Sequence, residues 1–320
     1  MKNKKKLIIL IPVLDDWDSL FILLQELKKA LENLLPENYS ILVVNDFSSL
    51  RLDKEKFEVL KIPIQVLNLK KNLGHQRAIA SGLCFINKNM NLESVIVMDS
   101  DGEDKPVYII SLYKLSKETN EIVFAKRIKR SESFVFKMFY KIYKGLFRLF
   151  VGQKIGFGNF SILPFSSLEP LVYDSNLWNN YSATIMRSRL PYLSLPTERG
   201  YRYSGKSKMN FISLITHGFG SISVYSDIVS TRLVMFSGFI AVLTCLSIIL
   251  VGVIRFFTDF AVPGWATYSI LAMTIILFQA LFMGIFALFI FLSSRSNKSI
   301  IPANEFEMFV SSIDKINCNE

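Results

Sequence analysis

The chain is poor in the residues that build small metal and disulfide centres. Three cysteines, Cys84, Cys245 and Cys318, are scattered over 320 residues, a spacing that makes neither a metal-ligand set nor a disulfide framework. Unpaired thiols in a reducing compartment are the expectation. Two histidines, His75 and His217, stand apart, which excludes a His-x-x-x-His zinc centre. His75 reads as a helix-start residue rather than a donor to a ligand, and His217 as structural. Charged residues make up only 20% against 51% hydrophobic, too apolar a balance for disorder. The start is not expected to act as a cleavable leader. Lys2 to Lys6 is followed by an apolar run of eight residues, Leu7 to Leu14, that meets Asp15 and Asp16 without a small-residue cleavage site. That run reads as a buried strand.

What the chain has instead is long apolar runs. Leu233 to Ile254 is 22 residues without a charge, and Trp265 to Leu292 is 28. At about 1.5 Å per residue each covers the roughly 30 Å hydrocarbon core of a bilayer. With a mean hydropathy of +0.33, a purely soluble protein is excluded. Residues 1–232 hold 33 Lys+Arg and 22 Asp+Glu, whereas residues 233–320 carry a balance of −1. The positive-inside tendency then places the N-terminal part in the cytoplasm. Two spans return residues 293–320, with Arg295 and Lys298, to the same side, and leave Arg255 and Asp259 in a short outer loop. The expected location is the cytoplasmic (inner) membrane, multi-pass.

Over the first 125 residues, runs rich in β-branched residues alternate with amphipathic stretches. The strand candidates are Leu7–Val13, Ile41–Asn45, Ile64–Leu67, Val95–Met98 and Ile122–Ala125. Between the first two, Leu20, Leu23, Leu24, Leu27, Leu31 and Leu34 recur at helical spacing until Pro36. Repetition of this alternation predicts an α/β fold with a mostly parallel sheet, whose ligands bind beyond the carboxyl ends of the strands. Asp15 and Asp16, Asp46, Asn68 to Asn72, and Asp99 with Asp101 all follow strands. Carboxylates gathered on one edge repel one another and a phosphate ligand alike unless a divalent cation sits between them.

The run Met98-Asp-Ser-Asp-Gly-Glu-Asp-Lys-Pro106 is the sharpest signal. Residues two apart on an extended chain face the same side, about 7 Å apart, so Asp99 and Asp101 can share one ion. Hard oxygen ligands suit Mg²⁺ or Mn²⁺, bridged to the phosphates of a substrate. Further along, Lys137, Lys141, Lys144 and Arg148 form one helical stripe within Ser133 to Phe150, interleaved with seven aromatics. Such a helix suits a bilayer surface; the alternative is a core-facing helix with a solvated basic face. Nucleic acid is excluded as a partner, because no recognition motif accompanies the basic residues and the apolar runs give the charge an anionic-lipid target.

Taken together, Ile11-Pro-Val-Leu-Asp-Asp16, Val44-Asn-Asp-Phe-Ser-Ser49, Asn72-Leu-Gly-His-Gln-Arg-Ala-Ile-Ala-Ser-Gly82 and the Asp-x-Asp run occur in the order and spacing of one family. The chain resembles an inverting glycosyltransferase of family 2. The two C-terminal spans, the Pro263-Gly-Trp265 turn and Arg199-Gly-Tyr-Arg-Tyr-Ser-Gly-Lys-Ser-Lys208 look like its polyprenyl-phosphate branch, which includes bactoprenol glucosyltransferases and dolichol-phosphate mannose synthase. The resemblance covers about residues 7–292. It implies a Rossmann-like GT-A core over 1–130, an acceptor-side segment with a membrane-surface helix over 131–232, two transmembrane helices over 233–292 and a cytoplasmic tail over 293–320. It implies a UDP- or GDP-sugar donor, a polyprenyl (undecaprenyl) phosphate acceptor and a contribution to cell-envelope polysaccharide, with a homo-oligomer allowed.

The same resemblance gives Asp16 and Asp46 to the base and ribose of the nucleotide sugar, and Asp99 and Asp101 to the metal and diphosphate. Glu103 stands where the family often has a metal-binding Gln. Departures from the pattern are Asn45-Asp-Phe-Ser48 in place of Asp-Asp-Gly-Ser, and Gly158-Asn-Phe-Ser161 in place of Gly-Asp-Phe-Arg. A lipid phosphate acceptor is already anionic and needs cations to position it rather than a general base. Arg127, Arg130, Arg199 and Arg202 are the candidates, because the guanidinium fork matches phosphate oxygens. The rival expectations are a family 2 enzyme with another lipid or lipid-linked saccharide acceptor, and a non-catalytic membrane protein that keeps the fold.

Overall fold

The computed structural model describes residues 6–31, 39–128, 145, 147–152, 157–204, 211–258, 262–296 and 299–318. The chain divides into two units, one made of residues 1–144, 154–224 and 299–320, the other of 145–153 and 225–298.

In the first unit, strands β1 (Lys6–Val13), β2 (Tyr39–Asn45), β3 (Ile64–Leu69), β4 (Leu92–Val97) and β5 (Ile122–Arg127) alternate with helices α1 (Trp17–Leu31), α2 (Lys54–Glu58), α3 (His75–Asn89) and α4 (Ile109–Thr119). All five expected strands are present. After them come β6 (Ser161–Pro164), α5 (Phe165–Val172), α6 (Tyr181–Arg187), β7 (Tyr192–Thr197), α7 (Phe211–Ser223) and, from the far end of the chain, β8 (Val310–Ile316). The eight strands form one sheet in the order β7-β5-β6-β4-β1-β2-β3-β8. β6 runs antiparallel to β4 and β5, and β8 antiparallel to β3, while the other pairings are parallel.

Successive side chains of β1 point to opposite faces, and each face is covered by helices. Ile8 and Leu10 pack with Leu42, Val44 and the α3 residues Ile79, Leu83 and Ile86. Leu7, Ile9 and Ile11 pack with Leu20, Leu23, Leu24 and Leu27 of α1. α3 lies so close to the sheet that a Cβ on Gly82 would stand 2.4 Å from the Leu10 side chain, which accounts for a glycine inside a helix. Strand order reverses between the parallel strands β1 and β4, the place where open α/β sheets bind ligands.

The sheet reaches beyond residue 130, where the sequence suggests a core boundary. β6 is four residues long, β7 ends in Pro196 and Thr197 at an edge, and β8 is largely exposed. Short or half-exposed edge strands leave little periodic signal. Residues 310–316, expected in a tail, form β8 and pair with β3 from Ile64↔Ile316 to Leu69↔Val310.

The second unit holds α8 (Ser226–Phe257) and α9 (Trp265–Ser296), each 32 residues long and apolar enough to cross a bilayer. Ser230, Ser237, Thr244 and Val251 of α8 are buried at seven-residue intervals, as are Ala280 and Ala287 of α9. A seven-residue seam is the signature of left-handed helix packing. Small residues let the backbones approach: a Cβ on Gly284 would stand 2.5 Å from the Ser237 hydroxyl. Outward-facing Phe239, Leu246, Phe282 and Phe286 are exposed. Of the amphipathic stretch, Lys137, Lys141 and Lys144 lie outside the described residues, as do Arg130, Lys298 and the loop residues 259–261; the side chain of His217 does too.

Candidate active site

Two loops from strand ends 100 residues apart in sequence meet at the β4 end. The acidic loop carries Asp99, Asp101, Glu103 and Asp104, and the loop after β7 carries Arg199, Arg202 and Tyr203. The Gly200 amide donates to the Glu103 carbonyl at 2.8 Å, and the Tyr203 amide to the Asp101 carbonyl at 3.0 Å. Glycine permits this approach from both sides. Gly102 is left-handed (φ 88°) beneath the Tyr203 ring, and a Cβ on Gly200 would stand 2.1 Å from the Gly102 carbonyl oxygen.

Charge pairing follows from that clamp. Arg199 donates to Glu103 at 2.6 Å, and Arg127, at the end of β5, to Glu103 at 3.4 Å and to Asp104 at 3.1 Å. Arg202 donates to Asp16 at 2.8 Å and to Asp101 at 3.4 Å. Asp104 is only 3% exposed; its second oxygen accepts from the Asp99 amide at 3.1 Å. Burial, helped by the charge of Asp99, pushes its carboxyl up to about 7 against the pull of Arg127. Asp101 is raised as well, by burial first and then by repulsion from Asp99.

Asp46, at the end of β2, is buried and accepts from the Leu73 and Gly74 amides at 2.7 and 2.9 Å. Burial nonetheless raises its pKa over the opposing effect of those amides. It pins the turn that starts α3, and Gly74 there is left-handed (φ 87°). His75, the first residue of α3, brings Nε2 to 3.2 Å from Asp99 Oδ1 and 2.9 Å from Asn159 Nδ2. Partial desolvation lowers the His75 pKa, but Asp99, Asp46 and Asp101 outweigh it and the net shift is upward. Asn159 also accepts from Gln76 at 3.3 Å, and the Ser161 hydroxyl bonds Tyr181 at 2.6 Å.

Asp16, Asp99, Asp101, Glu103, Arg127, Arg199 and Arg202 are thus brought together, with Asp46 one turn away under α3. Of the four arginines expected to cradle an acceptor phosphate, Arg127, Arg199 and Arg202 contact the acidic loop, and Arg130 lies outside the described residues. Sequence reasoning assigned nothing to Asp104, and it read His75 as a helix start only. His75 does start α3, and it also touches Asp99. No spacing rule links it to Asp99, so only the crossing of α3 over the β4 end reveals the contact.

A divalent cation fits this donor set in part. Asp99 and Asp101 offer hard carboxylate oxygens, and the charge of Asp99 helps raise the Asp101 pKa, a repulsion that a cation relieves. Glu103, the third expected ligand, faces Arg199 and Arg127, and among the described residues no group of three or more His, Cys, Asp or Glu side chains is placed to hold a metal. Two carboxylates suffice where substrate phosphates complete the shell.

The family described as glycosyl transferase family 2 matches residues 8–181. An uncharacterized glycosyltransferase of Bacillus subtilis, YkcC, is 25% identical over 87% of this chain and 84% of its own. The undecaprenyl-phosphate 4-deoxy-4-formamido-L-arabinose transferase of Photorhabdus laumondii is 26% identical over 48% of this chain and 46% of its own. Among solved structures, mannosyl-3-phosphoglycerate synthase from Rubrobacter xylanophilus superposes with a TM-score of 0.50 at 15% identity, over 69% of this chain and 73% of that one.

Proposed function

From the premise that this chain belongs to glycosyl transferase family 2, with a GT-A-like α/β fold, we propose that it moves a sugar from a UDP- or GDP-sugar to a polyprenyl phosphate at the cytoplasmic face of the inner membrane. The observation that carries this reading is the pairing of Glu103 and Asp101 on the acidic loop with Arg199 and Arg202 on the loop after β7, beside Asp99 and the β1/β4 switch in strand order. Carboxylates for a cation-bound diphosphate and guanidinium groups for a second phosphate stand on facing loops.

In this reading Asp16 and Asp46 border the nucleoside and Asp99 and Asp101 hold Mg²⁺ or Mn²⁺. Such a cation, when bound, neutralises charge on the leaving diphosphate, a contribution of several kcal/mol. Arg199 and Arg202, with Arg127 and Arg130, orient the acceptor. An acceptor phosphate oxygen attacks the anomeric carbon and the bond to the donor diphosphate breaks. The electron pair leaves with the nucleoside diphosphate, and attack from the opposite side inverts the centre. No proton has to move. Support for a lipid acceptor comes from α8 and α9, whose exposed apolar surface suits hydrocarbon, and from the name of the Photorhabdus relative.

A second reading, a hydroxyl-bearing acceptor, rests on one contact: His75 beside Asp99 and Asn159 is placed to act as a general base. Membranes containing the protein, incubated with labelled nucleotide sugars and undecaprenyl phosphate, test both. Label in an organic extract that depends on undecaprenyl phosphate supports the first reading. Label that appears only with a hydroxyl acceptor supports the second.

A further inference from the structure

We infer that Asp314, on the strand that follows the two apolar helices, is a positioning residue for the nucleotide site; this rests on the donor reading above. Its carboxylate accepts from Asn68 Nδ2 at 2.7 Å. Asn68 Oδ1 accepts from Asn45 Nδ2 at 2.9 Å, Asn45 Oδ1 from the Ser48 amide at 2.9 Å, and the Ser48 hydroxyl from the Asp15 amide at 2.9 Å. The relay crosses β8, β3, β2 and β1 in their order in the sheet and ends one residue before Asp16.

Donor and acceptor chemistry gives the relay a direction. A carboxylate only accepts, so Asp314 fixes the amide of Asn68 with its nitrogen outward and its oxygen toward Asn45. Asn45 must then present nitrogen to Asn68, which leaves its oxygen for the Ser48 amide. The turn at the far end needs such support. Asp15 (φ 50°) and Phe47 (φ 63°) are both left-handed non-glycine residues, a strained conformation that persists only where surroundings over-determine it. Asp15 Oδ1 also accepts from the Ser49 hydroxyl and the Leu50 amide, each at 2.9 Å, so the β1 and β2 turns are locked as a pair. Asp16, aimed from this turn at Arg202, inherits that geometry.

Asp314 also pairs with Lys54 at 2.8 Å, and that exposed contact offers a control. Equilibrium binding of UDP and of GDP, each with Mn²⁺, is measured on the full chain in detergent together with thermal midpoints. Variants are Asp314→Ala, Asn68→Ala, Asp314→Asn and Lys54→Ala. Asp314→Ala and Asn68→Ala should weaken nucleotide binding about tenfold. Asp314→Asn keeps an acceptor oxygen and should restore binding to within about threefold, and Lys54→Ala should match wild type. In turnover assays the loss should appear in the donor KM and leave the acceptor KM unchanged. Wild-type nucleotide affinity in Asn68→Ala, or an equal loss in Lys54→Ala, overturns the inference. Should the wild-type protein bind neither nucleotide, the donor reading falls with it.

Discussion

Arg202 bonds Asp16 and Asp101 at once, at 2.8 and 3.4 Å, and so joins the turn after β1 to the acidic loop after β4. On the proposed reading, that guanidinium stands between the donor and acceptor sites. Arg202→Ala should raise the apparent KM for polyprenyl phosphate at least tenfold, the effect of a lost charge-assisted hydrogen bond worth about 1.5–3 kcal/mol. Arg202→Lys should recover only part, because it keeps the charge and loses the fork. Separate titrations with donor and acceptor check this. A rise confined to the donor KM would assign Arg202 to the donor diphosphate.

Asp101→Ala should abolish turnover while the protein folds and inserts, since a carboxylate at a strand end contributes little to the core. Asp99→Ala should behave alike, and excess EDTA should silence the wild type. Circular dichroism beside the activity assay separates loss of chemistry from loss of fold. Full activity in EDTA removes the cation from the mechanism.

Arg127 has a structural task besides any contact with substrate, because it is the cation against buried Asp104. Arg127→Ala should destabilise the fold by roughly 2–4 kcal/mol, the penalty of leaving a buried carboxylate unpaired. Arg199→Ala, whose partner Glu103 keeps Arg127, should cost far less. Denaturant midpoints of the two variants, compared in one detergent, decide it.

Gly200→Ala places a methyl 2.1 Å from the Gly102 carbonyl oxygen and must push the loop after β7 off the acidic loop. Activity should fall by about 10²-fold, as expected for a misplacement near 1 Å. The helices α8 and α9 should be unaffected. Wild-type kcat in this variant would mean that the two loops need not touch.

β8 is hydrogen bonded to β3, although α8 and α9 separate them in sequence. If those helices cross a membrane, the chain must return to the side it left, so an even number of crossings is required. Reporter fusions at both termini should read cytoplasmic, and a cysteine placed near Pro263 should label from outside. A C-terminus labelled from outside would break the pairing with β3.

Much of this was legible before any coordinates. The period-two apolar runs of β1 to β5 and the helical leucines of α1 are local signals, set by burial on each face of a sheet. Asp16, Asp46, Asp99 and Asp101 are legible as strand-end carboxylates because the α/β alternation marks where the strands stop, while their roles stay a proposal. β6, β7 and β8 were not legible, since a buried strand of only four residues and two exposed edge strands carry weak patterns. His75 and Asp104 also escaped, because their roles depend on what other segments bring against them.

The order of local elements, the apolar spans and the strand-end carboxylates were determined by the sequence alone, since each follows from how nearest neighbours along the chain partition between water and an apolar interior. Which charges meet was decided only by the tertiary structure. Arg202 finds Asp16 across 186 residues and Asp314 finds Asn68 across 246. Such pairings depend on sheet order, on the close approach allowed by Gly102 and Gly200, and on the return of the chain as β8, none of which a local pattern encodes.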